Sequence, residues 1–280
     1  MKSARVCLFV LLFMMMLVAQ VISGEPAPEK NTRDDDTHVY AMRYGQSRFK
    51  LKNIYASEKK SSQTVEFVWL FYLVTTRDQK ILIDTGFSDA QKAEYYHIRN
   101  MIHPTELLLK LGIKPDDITN VILTHKHFDH SGLAYLYTKA NIYIQAEDYQ
   151  SLLDQQISRP DTNNTRFFNS CPLLCVLTTD HSISPALKIN RSGGHTIGSQ
   201  IVTLKTSNKT IIFTGDECYF IEGCEKEKTN SLAESTDNNR NILKRLKKAI
   251  QTDSAIILTG HDPVICHSYP QIHENIFQIQ

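Results

Sequence analysis

The sequence predicts an α/β chain arranged as an αββα sandwich. Two patterns point there: short apolar β-rich runs that end in polar residues beside glycine, and segments of helical periodicity set between those runs along both halves of the chain. Size agrees, because 280 residues exceed the usual domain mode, yet α/β folds of this length commonly remain one unit with a substantial core. The apolar fraction of 41% and charged fraction of 22% are ordinary for a globular protein.

In chain order, Lys2 and Arg5 precede an apolar run from Val6 to about Val18, and Ser23-Gly24 offers small residues before Glu25. This is the three-part layout of a secretory signal peptide over residues 1–24. The competing reading, a retained membrane anchor, needs about 20 apolar residues, and this run is somewhat short. Residues 25–38 are rich in Pro, Lys, Asp and Thr without periodicity and read as a disordered lead-in, which leaves 39–280 as the folded domain. Phe67–Thr75 and Lys80–Asp84 read as two strands joined by the polar turn Thr76-Arg77-Asp78-Gln79. Thr105–Lys110 carries a leucine-rich helical pattern, and Lys114-Pro115-Asp116-Asp117 opens the connection into the apolar run Val121-Ile122-Leu123. Asn141–Gln145 alternates as a strand, Thr210–Phe213 and Ala255–Leu258 are strand-like, and Asn238–Ile250 reads as an amphipathic helix bearing Lys and Arg.

Without residues 1–24 the chain keeps 29 Lys/Arg against 30 Asp/Glu, a charge near −1. Such a balance exerts no general pull on phosphate polymers, so no nucleic-acid partner is expected. Once Cys7 leaves with the leader, Cys171, Cys175, Cys218, Cys224 and Cys266 remain. An odd set leaves at least one thiol unpaired or bonded between chains, and the local pairs to test are Cys171 with Cys175 and Cys218 with Cys224. Asn163-Asn164-Thr165, Asn190-Arg191-Ser192 and Asn208-Lys209-Thr210 match the glycosylation acceptor pattern.

The chemistry is concentrated in Thr124-His125-Lys126-His127-Phe128-Asp129-His130, directly after the Val121-Ile122-Leu123 run. Three imidazoles and one carboxylate at a strand end ask for a metal, since these donors suit zinc and its first-row neighbours. Residues two apart on an extended segment point the same way, so His125 and His127 can grip one ion. The following turn can swing Asp129 and His130 toward a second. Further donors stand beside glycines: His195 in Gly193-Gly194-His195-Thr196, Asp216 after Gly215, and His261 after Gly260. Glycine lets the backbone turn sharply and approach an ion closely. Taken singly, each of these is more often a satisfied core residue; taken together in this order they form a ligand set.

The motif His125-Lys126-His127-Phe128-Asp129-His130, with Ile83-Asp84-Thr85-Gly86, Gly194-His195-Thr196, Gly215-Asp216 and Gly260-His261, resembles the metallo-β-lactamase superfamily from about Val39 to near the C-terminus. The resemblance implies that two αβ halves pack sheet to sheet with the metals at one edge; no sequence repeat displays this independently. It implies one zinc on His125, His127 and His195, a second on Asp129, His130 and His261, and Asp216 bridging both, with other first-row divalent metals as alternatives. Asp84 is implied to orient metal-bound imidazoles by hydrogen bonding; its other reading is a carboxylate capping its own turn.

The second metal set contains no cysteine, which disfavours antibiotic hydrolysis. The Thr-His-x-His-Phe-Asp-His-x-Gly run, with Tyr219 three residues after Asp216, looks most similar to the N-acyl homoserine lactonases. The resemblance then implies a secreted di-zinc hydrolase in which a hydroxide between ions about 3.5 to 4 Å apart opens a small-molecule lactone. Asp129 would carry the proton, and Tyr219 would donate a hydrogen bond to the oxyanion or, on its other reading, pack beside the site. Phe128 would wall the ring. Three alternatives stand beside this: a thioester hydrolase similar to glyoxalase II, a phosphodiesterase of the same fold, and a secreted zinc-binding protein without turnover. No stable membrane anchor is expected.

Overall fold

The computed structural model describes residues 36–158 and 163–280. The expected leader and nearly all of the expected lead-in therefore lie outside the described residues, as does the side chain of Asn163. Strand β1 (His38–Lys50) begins at the last residue assigned to that lead-in. Among the described residues, no helix is long and apolar enough to cross a membrane.

Two sheets form the centre. The larger orders its eight strands β12-β13-β1-β2-β3-β4-β5-β6, with β2 at Thr64–Thr75, β3 at Lys80–Ile83, β4 at Asn120–Ile122, β5 at Asn141–Gln145, β6 at Leu174–Leu177, β12 at Gln271–His273 and β13 at Ile276–Gln278. The smaller orders β11-β10-β9-β8-β7, with β7 at His181–Ser182, β8 at Leu187–Arg191, β9 at Gln200–Lys205, β10 at Thr210–Phe213 and β11 at Ile256–Leu258. Strands β3 to β6 pair parallel, as do β10 and β11, while β1, β2 and β3 pair antiparallel.

Strand β2 explains the layering. Its residues alternate between faces as any strand's do, yet both faces are apolar. Val68, Leu70, Tyr72 and Val74 join the core between the sheets, packing with β8 through Leu187 and Ile189, β9 through Val202 and Leu204, and Phe213. Phe67, Trp69, Phe71 and Leu73 face the other way into a core shared with Leu107 and Leu108 of helix α2 (Pro104–Lys110), which follows α1 (Ala90–Tyr95). A continuous apolar run is what a strand covered on both sides requires. A third cluster joins Ile201, Ile212 and Ile257 of the smaller sheet to Ile242, Leu243 and Leu246 of the long helix Thr236–Asp253. The order is helix, sheet, sheet, helix, as expected.

The remaining helices are α3 (Phe128–Ser131), α4 (Ala146–Ser158), α5 (Asn163–Ser170) and α6 (Ile221–Glu225), with Thr236–Asp253 as α7 and Val264–Ser268 as α8. Strand β1, thirteen residues long and central to the larger sheet, is absent from the sequence expectations. Its Arg43-Tyr44-Gly45-Gln46 stretch breaks the alternation of apolar residues, and the register shifts there against β2.

Of the two cysteine pairs, Cys218–Cys224 is bonded and Cys171–Cys175 is not. Cys171 packs against the helix-side core of the larger sheet and Cys175 against the inter-sheet core, so closeness in sequence does not align their sulfurs.

Candidate metal centre

The donors meet at the edge where β3, β4, β10 and β11 end. Backbone bonds stitch the two sheets together here: Val68 and Leu70 of β2 donate to the carbonyls of His261 and Gly260 (3.1 and 3.0 Å), and Gln200 of β9 donates to Thr124 (2.8 Å). Residues distant in sequence are thereby fixed around one spot. Gly215, at φ +48°, turns the chain where an added Cβ would meet the Thr124 hydroxyl at 2.5 Å, so a side chain there would displace the heptad itself.

Seven donors fall into two groups that share one residue. His125, His127, His195 and Asp216 form the first, and Asp129, His130, Asp216 and His261 the second, each with donor atoms within 4.8 Å of one another. In the first, His127 Nδ1 lies 3.0 Å from both His125 Nε2 and His195 Nε2, and Asp216 Oδ2 lies 3.7 and 3.4 Å from those two nitrogens. In the second, His130 Nε2 lies 3.2 Å from Asp129 Oδ2 and 3.1 Å from Asp216 Oδ1, while His261 Nε2 lies 3.5 and 3.0 Å from the same two oxygens. Donors held tetrahedrally about a zinc at about 2.0 to 2.1 Å stand about 3.3 Å apart, which is the scale of both groups. Asp216 turns Oδ2 to one group and Oδ1 to the other.

Two buried atoms test the fit directly. His130 Nε2 and Asp216 Oδ1 are 3.1 Å apart, yet neither has a hydrogen-bond partner among the described residues. Buried polar atoms are seldom left unpaired; a cation between the groups satisfies both. The residues fit two metal ions.

Local structure corrects one expectation. The heptad is not an extended segment: Thr124–His127 is a bend, His127 caps α3, and Asp129 and His130 sit adjacent on that helical turn. Bends rather than strand alternation bring His125 and His127 together.

The supports of these donors are as specific as the donors. Asp84 occupies a left-handed backbone position, φ +65°, and accepts from the Thr124 amide (2.7 Å), the Thr124 hydroxyl (2.8 Å) and His130 Nδ1 (2.7 Å). His261 Nδ1 is 2.9 Å from the Val68 carbonyl, and His125 Nδ1 is 3.1 Å from the Thr124 hydroxyl. These bonds leave the ring nitrogens on the far side free for metal.

Burial pushes His125 well below the usual imidazole range and His195 down to about 4, so both rings are neutral. Burial opposes the charge on His130, but Asp216, Asp129 and Asp84 outweigh it and raise that ring well above the usual range. Asp216 and Asp129 are held low by His130 and His261 against the cost of burial. Tyr219 is buried with its ring 5.7 Å from those of both His195 and His261. Burial first, then the Asp216 and Asp129 carboxylates, raise its hydroxyl well above the usual range, so it remains a proton donor.

Several contributors escape sequence reasoning. Asp148, buried on α4, accepts from the Lys126 amide (2.8 Å), the Thr196 hydroxyl (2.7 Å) and the Gly198 amide (3.1 Å), tying the heptad to the His195 loop. Glu217, also buried, accepts from the Gly194 and His195 amides (2.8 and 3.1 Å). Nothing marks Asp148 in the sequence, whereas Glu217 adjoins Asp216 and could have been noticed. Phe67 stacks on His261 with centroids 4.1 Å apart, and Trp69, Phe87, Tyr96 and Phe128 continue an aromatic wall, Phe128 stacking on Tyr96 at 5.3 Å.

Comparison with known proteins agrees with this fold. Residues 69–153 match the model of the metallo-β-lactamase superfamily. The N-acyl homoserine lactonase AiiA of Bacillus thuringiensis subsp. kurstaki is 25% identical over 213 residues, covering 70% of this chain and 81% of that protein. The N-acyl homoserine lactonase AttM of Rhizobium johnstonii is 21% identical over 267 residues, covering 85% and 98%. Among solved structures, an N-acyl homoserine lactone hydrolase with N-hexanoyl-L-homoserine bound at its catalytic metal centre superposes with a TM-score of 0.70 at 21% identity, covering 85% of this chain and 98% of that one. The dizinc quorum-quenching lactonase AidC superposes at 0.63 with 17% identity, covering 81% and 88%.

Proposed function

The chain has the metallo-β-lactamase fold, with that superfamily's domain over residues 69–153, and on that premise we propose that it is a secreted di-zinc hydrolase that opens the lactone ring of N-acyl homoserine lactones. The coarser statement stands by itself: the protein is a metal-dependent hydrolase. The observation that carries the finer reading is the division of Asp216 between two donor groups with Tyr219 against both, together with similarity to N-acyl homoserine lactonases across most of the chain.

His125, His127 and His195 would hold one zinc, Asp129, His130 and His261 the other, and Asp216 both. Zinc bound there supplies Lewis acidity at the carbonyl and lowers the pKa of the attacking water. The protein's own groups do the rest. Asp129 presents Oδ2 to the second group, which leaves its other oxygen to take the proton of the attacking water and hand it to the leaving ring oxygen. Tyr219, protonated at every working pH, donates to the tetrahedral oxyanion. Such a donor is worth about 10²-fold or more in rate, because it is aimed where charge develops. Tyr96 and Phe128, half-buried, stacked on one another and backed by the buried Trp69 and Phe87, would offer apolar surface to a substrate.

Export is supported by the Lys2/Arg5 and Val6–Val18 pattern and by the Cys218–Cys224 bond, which suits an oxidising compartment. Glycosylation would find Asn208 exposed at the turn between β9 and β10, and Asn190 half-buried in β8.

The test is metal analysis of the purified protein joined to ring-opening assays over an acyl homoserine lactone chain-length series, with S-lactoylglutathione and a chromogenic phosphodiester as alternatives. Two zinc ions per chain and turnover of the lactones are expected. One ion at full activity overturns the bridging assignment, preferential turnover of the thioester or phosphodiester replaces the substrate, and two ions with no turnover of any substrate makes this a zinc-binding protein.

A further inference from the structure

Tyr219 is held by an unusual neighbour. It lies inside the seven-residue loop closed by the Cys218–Cys224 disulfide, three residues after the shared ligand Asp216. The loop is anchored on two sides of the molecule. Both cysteines are buried, at 1% and 0% exposure, in the layer where α7 covers the smaller sheet, beside Ile242, Leu243 and Leu246. Tyr219 and Phe220 instead enter the core on the helix side of the larger sheet, where Phe67 lies 6.1 Å from each of their rings. The backbone therefore crosses from one layer to the other between Cys218 and Tyr219, and the phenol reaches the metal groups from that crossing.

Hydrogen bonds hold the chain on either side of the crossing. The Thr214 hydroxyl donates to the Cys218 carbonyl at 3.3 Å, and the Ile221 amide donates to Asp262 Oδ2 at 2.8 Å, next to the ligand His261. Gly223 presses on Tyr55, where an added Cβ would meet the ring at 2.9 Å, so α6 cannot move inward. On the other side the link to Cys218 ties its last turn back to the start of the loop. Removing the link frees α6 on one side and leaves Tyr219 held by its ring contacts and by the hydrogen bonds of its neighbours Cys218 and Ile221.

We propose that the Cys218–Cys224 bridge is a positioning element for catalysis: it fixes the phenol of Tyr219 over the two metal groups without contributing to metal binding. None of the seven donors is a cysteine, so the bridge supplies no ligand to either group. A side chain held within a few tenths of an ångström of the productive position retains its rate contribution, whereas a displacement of about 1 Å costs up to about 10²-fold.

This inference rests on the lactonase reading, and the experiment separates the two. Cys218→Ala/Cys224→Ala is compared with the wild type, with Tyr219→Phe, and with all three substitutions together. Each is assayed for lactone ring opening, zinc content and amide hydrogen exchange over residues 218–224. The double alanine variant is expected to retain two zinc ions, lose about tenfold in kcat with KM changed less than threefold, and exchange faster over the loop. In the Tyr219→Phe background the same cysteine changes should alter kcat by less than twofold, because the group they position is already gone.

Folded double alanine variant with wild-type kcat and unaltered exchange overturns the proposal. So does an equal fall in kcat in both backgrounds, which would place the effect on the metals. Should the double alanine variant not fold, folded wild type is reduced with a water-soluble phosphine until two new thiols per chain titrate. Phosphine and water give the phosphine oxide and the two thiols, and the same kcat and exchange comparisons decide. A wild type that opens no lactone sinks the substrate reading, while unchanged exchange on breaking the bridge still refutes the clamp.

Discussion

Asp84→Asn offers the most discriminating perturbation of the metal centre. The side chain keeps its shape, and asparagine tolerates the φ +65° that residue 84 adopts, so the backbone is not strained as alanine would strain it. What changes is the hydrogen-bond inventory. Asp84 Oδ1 accepts from the Thr124 amide at 2.7 Å, and Oδ2 accepts from the Thr124 hydroxyl at 2.8 Å and from His130 Nδ1 at 2.7 Å. An amide has one oxygen and one NH2. Turned one way, the NH2 faces the Thr124 amide, a donor that cannot become an acceptor; leaving it unpaired in the interior costs about 1 to 3 kcal/mol. Turned the other way, the NH2 faces the Thr124 hydroxyl, which can reverse, and His130 Nδ1, which can accept if the ring changes tautomer. The second arrangement wins, and it places the proton of His130 on Nε2. That nitrogen is the donor atom of the second group, 3.1 Å from Asp216 Oδ1, and a protonated Nε2 cannot bind metal. Loss of such a supporting partner typically weakens metal affinity by about 10- to 100-fold, or about 1.4 to 2.7 kcal/mol. Zinc titration against a competing chelator, with metal content by mass spectrometry, should give one ion at wild-type affinity and a second weakened by that factor. Wild-type affinity at both sites would refute the tautomer argument and return Asp84 to a turn-capping role.

Three further outcomes follow from the same geometry. Because Asp216 gives one oxygen to each group, Asp216→Ala should abolish activity and disturb both ions, whereas His261→Ala should mainly empty the second; equal retention of both ions in Asp216→Ala, measured by metal analysis, removes the bridging assignment. Tyr219→Phe deletes one donor and preserves the ring, so kcat and kcat/KM should fall together by about 10²-fold with both metals retained, while a rise in KM alone would mean that the hydroxyl orients bound lactone equally in both states. In the metal-free protein Asp216, Asp129 and Asp84 overcome burial to keep a proton on His130, whereas burial leaves His125 and His195 neutral, the latter down to about 4. Filling the second group must therefore expel the proton of His130, and its affinity should rise with pH by up to about tenfold per unit below that ring's raised pKa; calorimetry in buffers of different ionisation enthalpy reads the protons released, and filling of the second group without proton release would contradict the assignment.

The sequence by itself determined the kinds of donor and the positions where they enter. His125, His127, Asp129, His130, His195, Asp216 and His261 were legible because ligand chemistry restricts residue type, and because glycine marks where a chain can turn beside an ion. The strands β2 and β3 and the helix α7 were legible from local periodicity. The tertiary structure alone decided what depends on distant segments meeting: β1 as a central strand, the two sheets stitched through Val68, Leu70 and Gln200, and Asp148 and Glu217 as supports of the His195 loop. It also decided which cysteines bond, since Cys171 and Cys175 serve different cores while Cys218 and Cys224 share one. The division of Asp216 between two groups belongs to the same class. A carboxylate's two oxygens are identical in sequence, and only sheet pairing that brings residue 261 beside residue 130 gives each oxygen a separate task.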